Sequence, residues 1–195
     1  GVATAKGLAW AAQRPCAGCS TLESMAWNLA GFSGQVCAAM DARRHQIYNA
    51  RFQVDGQCPR RLTPDRAISL DDLVQELAGT QTPQLVVGDG AQLCYDALTA
   101  AGIPAVLAPP NLRMQSAWGV ARAALELVRS GGLVSGEELA PVYCRLSQAE
   151  RERLEQLIRS VKDTIGVEER NEIMSDEQKF EAFKQRAVAH NEEVY

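Results

Sequence analysis

Gln84-Leu85-Val86-Val87-Gly88-Asp89-Gly90-Ala91, continued to Gly102-Ile103-Pro104-Ala105-Val106-Leu107-Ala108, decides the fold class of this chain. The run 84–87 is short, apolar and rich in branched side chains, the signature of a strand entering a core. Gly88-Asp89-Gly90 is a tight turn. A helix is expected from Ala91 to Ala101, with Gly102 as its left-handed stop. Residues 104–108 read as the next strand. Strand, helix and strand in succession mean an α/β domain.

The same alternation extends outward. Residues 1–13 read as an alanine-rich apolar helix stopped at Arg14-Pro15. Cys16 to Cys19 reads as a short buried strand. Ser20-Thr21-Leu22-Glu23 is a capping box opening a helix to about Ala30. Residues 35–40 and 46–54 are expected to be two strands joined through Asp41-Ala42-Arg43-Arg44-His45, and Asp55-Gly56 is a turn signal. Ser69-Leu70-Asp71-Asp72 opens a helix to about Ala78, and 116–130 is a long amphipathic helix ending at Gly131-Gly132. The expected architecture is a mixed sheet covered by helices.

Composition bounds the function. The chain has 195 residues, 46% hydrophobic and 23% charged, with a net charge of −4. That balance argues against a surface that coats nucleic acid. No apolar run approaches the roughly 18 residues of a membrane span, so no membrane partner is expected. Two histidines, His45 and His190, leave too few imidazoles for a multi-histidine metal centre. Six scattered cysteines suggest a reducing cytoplasm more than a disulfide framework.

Charge density changes along the chain. The first 150 residues hold 25 charged side chains and the last 45 hold 19. A boundary is therefore expected near 149–154, where Ser147-Gln148-Ala149-Glu150 forms a capping box. Beyond it, Leu154, Leu157, Val161 and Thr164/Ile165 approach a short coiled-coil seam. Ser175-Asp176-Glu177-Gln178 opens a further helix, with Phe180, Phe183 and Ala187 on one face.

Four motifs could carry chemistry. Cys16-Ala17-Gly18-Cys19 supplies two of the four ligands that zinc needs, or a redox pair, or simply two buried thiols. Gly88, Asp89 and Gly90 join a strand to a helix, where backbone N–H groups could meet a phosphate or the turn could merely be tight. Arg43 and Arg44 could hold a phosphate or a partner carboxylate, or be solvated turn charges. On helix 1–13, Ala3, Gly7 and Ala11 form a small-residue face that suits close helix packing, within the chain or between chains. No Ser/His/Asp set, paired-carboxylate site or Walker loop is visible, so no catalytic and no metal-ligating residue is expected.

Four segments in order resemble the TsaB family of the tRNA threonylcarbamoyladenosine machinery: residues 1–9, Gly18-Cys19-Ser20-Thr21-Leu22-Glu23, Asp41-Ala42-Arg43-Arg44 through Tyr48, and Pro141-Val142-Tyr143 through Arg145-Leu146-Ser147-Gln148-Ala149-Glu150. The resemblance covers about residues 1–152. It implies an actin-like, ribonuclease H-like ATPase fold of two lobes. On that register, residues 1–30 would be a remnant of lobe one, 31–150 lobe two and 151–195 a charged helical tail, with lobe one N-terminally truncated.

The resemblance also implies a role. The family's catalytic paralogue, TsaD, carries a His-x-x-x-His metal motif whose two positions fall here on Thr21 and Met25. Neither replaces an imidazole. The implied protein is a cytoplasmic, non-catalytic scaffold that binds and activates TsaD in a heterodimer, together with the ATPase TsaE. The complex places threonylcarbamoyl on N6 of the adenosine at tRNA position 37, and tRNA is met indirectly. Ala3, Lys6, Gly7 and Trp10 are the expected contact positions for TsaD. No cofactor is required, although a weak adenine nucleotide near Gly88-Asp89-Gly90 is a secondary expectation. An actin-like nucleotide-binding enzyme is one alternative. Residues from about 153 resemble a MerR-type regulator, its dimerisation helix followed by the start of a TipA-like domain. A regulator fragment with a dimerising tail is therefore the other alternative. No helix-turn-helix is present, so DNA is not an expected partner. A chimeric reading frame would account for the two resemblances together.

Overall fold

A computed structural model describes residues 1–144 together with Arg153 and Gln156. The chain divides into two units, 1–145 and 146–195, and the description that follows is of the first. The capping box at 147–150, the seam from Leu154 and the helix from Ser175 lie outside the described residues.

The sheet is built on two long strands, β1 (Ser33–Asp41) and β2 (Gln46–Asp55), paired antiparallel from Ser33↔Asp55 to Asp41↔Ile47. Strand β5 (Gln84–Val87) runs parallel to β1, and β6 (Ala105–Leu107) runs parallel to β5. Two short strands, β3 (Arg60–Arg61) and β4 (Arg66–Ser69), both pair antiparallel with β2. The strand order is β3-β2-β1-β5-β6, with β4 off that path on β2. The sheet is mixed, as the sequence predicts.

Period-two alternation gives each face of the sheet its own core. Val36, Ala38, Ala50, Phe52 and Val54 pack with Leu22, Met25, Ala26 and Leu29 of the segment that begins as helix α2 (Thr21–Trp27). Cys37, Ala39, Ile47 and Val86 face the other way, against Leu70 and Leu73 of α3 (Leu70–Glu76) and Ala91, Cys94 and Leu98 of α4 (Ala91–Ala100). Ser20 caps α2 through Glu23 N–H, and Ser69 caps α3 through Asp72 N–H. Helix α4 is followed by Gly102 at φ 74°, as its sequence requires.

Two further helices complete the described unit, α5 (Pro110–Arg113) and α6 (Ala117–Ser130). The latter packs on α2, with Trp27, Ala30 and Ala123 buried between them. Helix α1 (Val2–Ala12) belongs to neither core and has no buried residue.

Several sequence expectations need correction. Cys16 to Cys19 is not a buried strand: Cys16 makes one bridge, exchanging backbone hydrogen bonds with Val134 at 2.7 and 2.9 Å, and both cysteines are half-buried. A strand needs a partner along its length, and here the chain turns at once into the cap of α2. Helix α2 ends at Trp27 rather than Ala30, and its last residues tighten into i→i+3 bonds at Asn28, Leu29 and Ala30. The hairpin turn holds Arg43, Arg44 and His45 at φ 65°, 55° and 57°, three successive non-glycine residues in a region that non-glycine residues uncommonly adopt, histidine more readily than arginine.

Candidate partner interface

Helix α1 has the sequence Val-Ala-Thr-Ala-Lys-Gly-Leu-Ala-Trp-Ala-Ala and a single charge, Lys6. A helix this apolar is ordinarily buried. Here Trp10 is 73% and Leu8 68% exposed. Its contacts within the unit come from the segment after α6. Lys6 Nζ donates to the Glu137 carbonyl at 3.1 Å. Gly136 lies against Lys6, Ala9 and Trp10, so closely that a Cβ at 136 would be 3.2 Å from the Lys6 carbonyl oxygen. A cleft of about 740 Å³ runs between the end of α1 and residues 133–137.

The four expected contact positions therefore differ. Ala3, Gly7 and Trp10 are exposed, whereas Lys6 is half-buried with its ammonium engaged by Glu137. A Cβ at Gly7 would meet nothing within 4 Å. That matters because glycine in a helix interior costs about 1 kcal/mol relative to alanine. Nothing within the described unit requires the missing methyl group.

The Gly88-Asp89-Gly90 turn is built differently. Gly88 has φ 113°, and a Cβ there would stand 2.0 Å from the Ala39 carbonyl oxygen. A Cβ at Gly90 would stand 2.9 Å from Asp41 N. Both glycines let the turn lie directly on the end of β1. Three of its amides are occupied: Gly88 N–H donates to Arg113 O, Gly90 N–H to Ala39 O and Ala91 N–H to Gly88 O. Asp89 Oδ1 accepts from Asp41 N–H at 3.2 Å. Asp89 also lines a small cleft of about 240 Å³ with Met25, Met114 and Gln115. Of the candidate residues, Trp10 lines the first cleft and Asp89 the second, and the two clefts share no lining residue.

The remaining motifs resolve into local structure. Burial pushes the Cys19 thiol above its ordinary range, the opposite of an activated redox cysteine. Arg43 turns back to Asp41, at 3.2 Å. Met25 is 1% exposed within the core, and Thr21 opens α2 one turn earlier. A packed thioether and a hydroxyl do not fit the imidazole-ligated metal of the catalytic paralogue.

One surface was not legible in sequence. Trp118, Val120, Leu125 and Val128 of α6 are exposed, and the Arg122 guanidinium lies over the rings of Trp27 and Trp118 at 4.7 and 6.0 Å. The amphipathic period of α6 predicts its buried face. The breadth of its apolar stripe, which wraps past that face, is the signal that could have revealed the rest.

Comparison with known proteins agrees with this architecture. A family model described as TsaD: tRNA N6-adenosine threonylcarbamoyltransferase matches residues 1–153. The chain is 31% identical over 159 residues to the tRNA threonylcarbamoyladenosine biosynthesis protein TsaB of Bacillus subtilis (strain 168), covering 80% of this chain and 66% of that protein. It is 31% identical over 149 residues to the protein of the same name from Escherichia coli (strain K12), covering 74% and 63%. The chain thus spans just under two thirds of the length of these relatives. Among solved structures, YeaZ from Pseudomonas aeruginosa superposes with a TM-score of 0.54 at 21% identity, covering 73% of this chain and 65% of that one. An uncharacterized protein with similarity to peptidase YeaZ from the same organism gives 0.57 at 22% identity, covering 74% and 65%. The MerR-type reading of the tail gains no support from these matches. The six-stranded mixed sheet with flanking helices is the YeaZ-like, actin-like α/β fold, and the chain belongs to the TsaD family over residues 1–153, as a TsaB-like segment.

Proposed function

We propose that this chain works in tRNA threonylcarbamoyladenosine biosynthesis as a non-catalytic, TsaB-type subunit that docks on a TsaD-type catalytic partner through α1. The observation that carries this reading is Gly7. It sits in mid-helix, exposed, with space where its side chain would be, and it carries the helix cost of glycine with no compensating contact within the described unit. Close approach of a partner helix to the Ala3/Gly7 face supplies the missing reason, and Trp10 beside it offers a large anchor of the kind that dominates interfaces. The names of the TsaB relatives supply the pathway. The lack of fit between Thr21/Met25 and an imidazole-ligated metal supports a subunit that activates rather than transfers. The partner then holds the reacting groups, TsaE joins the same assembly, tRNA is met through the complex, and the work is done in the cytoplasm.

The test is co-elution of the chain with a TsaD-type subunit on size-exclusion chromatography, followed by tRNA modification with TsaE and the precursor present. The reading expects a complex, and modification that depends on adding this chain. Separate elution at micromolar concentrations would refute it.

A further inference from the structure

Two thiols on opposite elements of the second core touch. Cys37 lies on β1 and Cys94 on α4, both 0% exposed, with their sulfurs 3.8 Å apart. Asn49, buried on β2, directs its amide N–H to Cys37 Sγ at 3.3 Å and to the Ala38 carbonyl at 2.9 Å. Arg66 Nη2 in turn donates to Asn49 Oδ1 at 3.3 Å. Arg66 and Arg51 both grip Glu76, at 2.6 and 2.7 Å, and their positive field reaches Cys37. The Cys37 sulfur is thus a hydrogen-bond acceptor in a polarised pocket, with a second thiol as its neighbour.

We propose that Cys37 and Cys94 form an oxidisable pair that closes to an intramolecular disulfide under hydrogen peroxide. Cys37, as thiolate, attacks one peroxide oxygen. The O–O bond breaks, and the released hydroxide takes up a proton to give water. The resulting Cys37 sulfenic acid is then attacked by the Cys94 sulfur. The S–O bond breaks, and the departing hydroxide takes the Cys94 proton as a second water. Two thiols and one peroxide give one disulfide and two waters.

The surroundings favour this order. The hydrogen bond from Cys94 is the largest influence lowering the Cys37 thiol, ahead of the opposing effect of burial, and Asn49, Arg51 and Arg66 act in the same sense. That hydrogen bond and burial hold Cys94 protonated. A disulfide needs the sulfurs to approach to about 2.05 Å, which rotation of the two side chains must supply. Access comes from local opening of α4. It is a surface helix bound by one stripe, Ala91, Cys94 and Leu98, with Leu93 on its outer face 45% exposed. Among the described residues no other cysteine pair shows a sulfur–sulfur contact.

The full chain carrying Cys58→Ser, which removes the exposed thiol, would be treated with hydrogen peroxide under native conditions. It would then be alkylated in denaturant, digested and analysed by mass spectrometry. The expected result is a linked Cys37–Cys94 peptide pair, lighter by two hydrogens and separated by dithiothreitol. Recovery of both cysteines fully alkylated, at a dose that oxidises Cys58 in the parent chain, would overturn the proposal. So would Cys37 recovered as an unlinked sulfinic acid.

Discussion

Gly119 of α6 and Ser24 of α2 touch backbone to backbone: a Cβ at 119 would lie 2.1 Å from the Ser24 carbonyl oxygen and 2.9 Å from Asn28 Oδ1. The contact is set by a chain of hydrogen bonds. Ser116 Oγ donates to Asn28 Oδ1 at 2.6 Å, and the Asn28 amide donates to the carbonyls of Leu112 and Met114 at 3.2 and 2.8 Å. Gly119→Ala must separate the helices or break that chain. A loss of about 2 kcal/mol or more is expected, read as a lower urea midpoint. An unchanged midpoint would show that the helices can part freely.

Gly88 answers to the same logic. Its φ of 113° and the 2.0 Å approach to Ala39 O leave no room for any side chain. Gly88→Ala is expected to cost about 3 kcal/mol, more than Gly119→Ala, because strain and overlap with backbone add. Comparing the denaturation midpoints of the two variants checks the ranking.

Glu76 gives the fold an acid sensitivity. Burial raises its carboxyl, but hydrogen bonds from Arg51 and then Arg66 outweigh that and hold it below the usual carboxylate range. A depressed folded value means that the contribution is complete above the unfolded value of about 4.3 and is lost as pH falls through the folded value. Glu76→Gln should therefore flatten the stability profile below about pH 4.3 while lowering stability at pH 7. A variant profile parallel to the parent's in acid would show that Glu76 does not carry this dependence.

Trp118 and Arg122 extend the exposed apolar surface. Arg122→Ala removes the cation stacked over Trp27 and Trp118 and is expected to cost about 1 kcal/mol, with a change in tryptophan fluorescence. A spectrum and midpoint identical to the parent's would mean that the stacking is incidental.

Much of this was legible in sequence, and the exceptions have physical reasons. The long strands, the helix openings at Ser20 and Ser69, and the stop at Gly102 follow from local chemistry and stand where the residues put them. Strands β3 and β4 and helix α5 span only two to four residues each, too short to show a period. Gly88 and Gly90 read as a turn, but their closest neighbours belong to β1, and only the pairing of β1 with β5 places them there. The exposure of α1 follows from the family resemblance and not from its residues, because an apolar helix looks the same in sequence whether its own domain or a partner covers it.

The most direct test of the central claim is the affinity of a TsaD-type subunit for the chain and for its Gly7→Leu variant, measured by isothermal titration calorimetry. Position 7 has open space around it in the unit, so the variant should fold at least as well as the parent, with helix propensity in its favour. The account predicts an affinity weaker by at least about tenfold, or about 1.4 kcal/mol, with an unchanged or higher denaturation midpoint. Equal affinity for the two proteins would contradict it and move the interface away from α1.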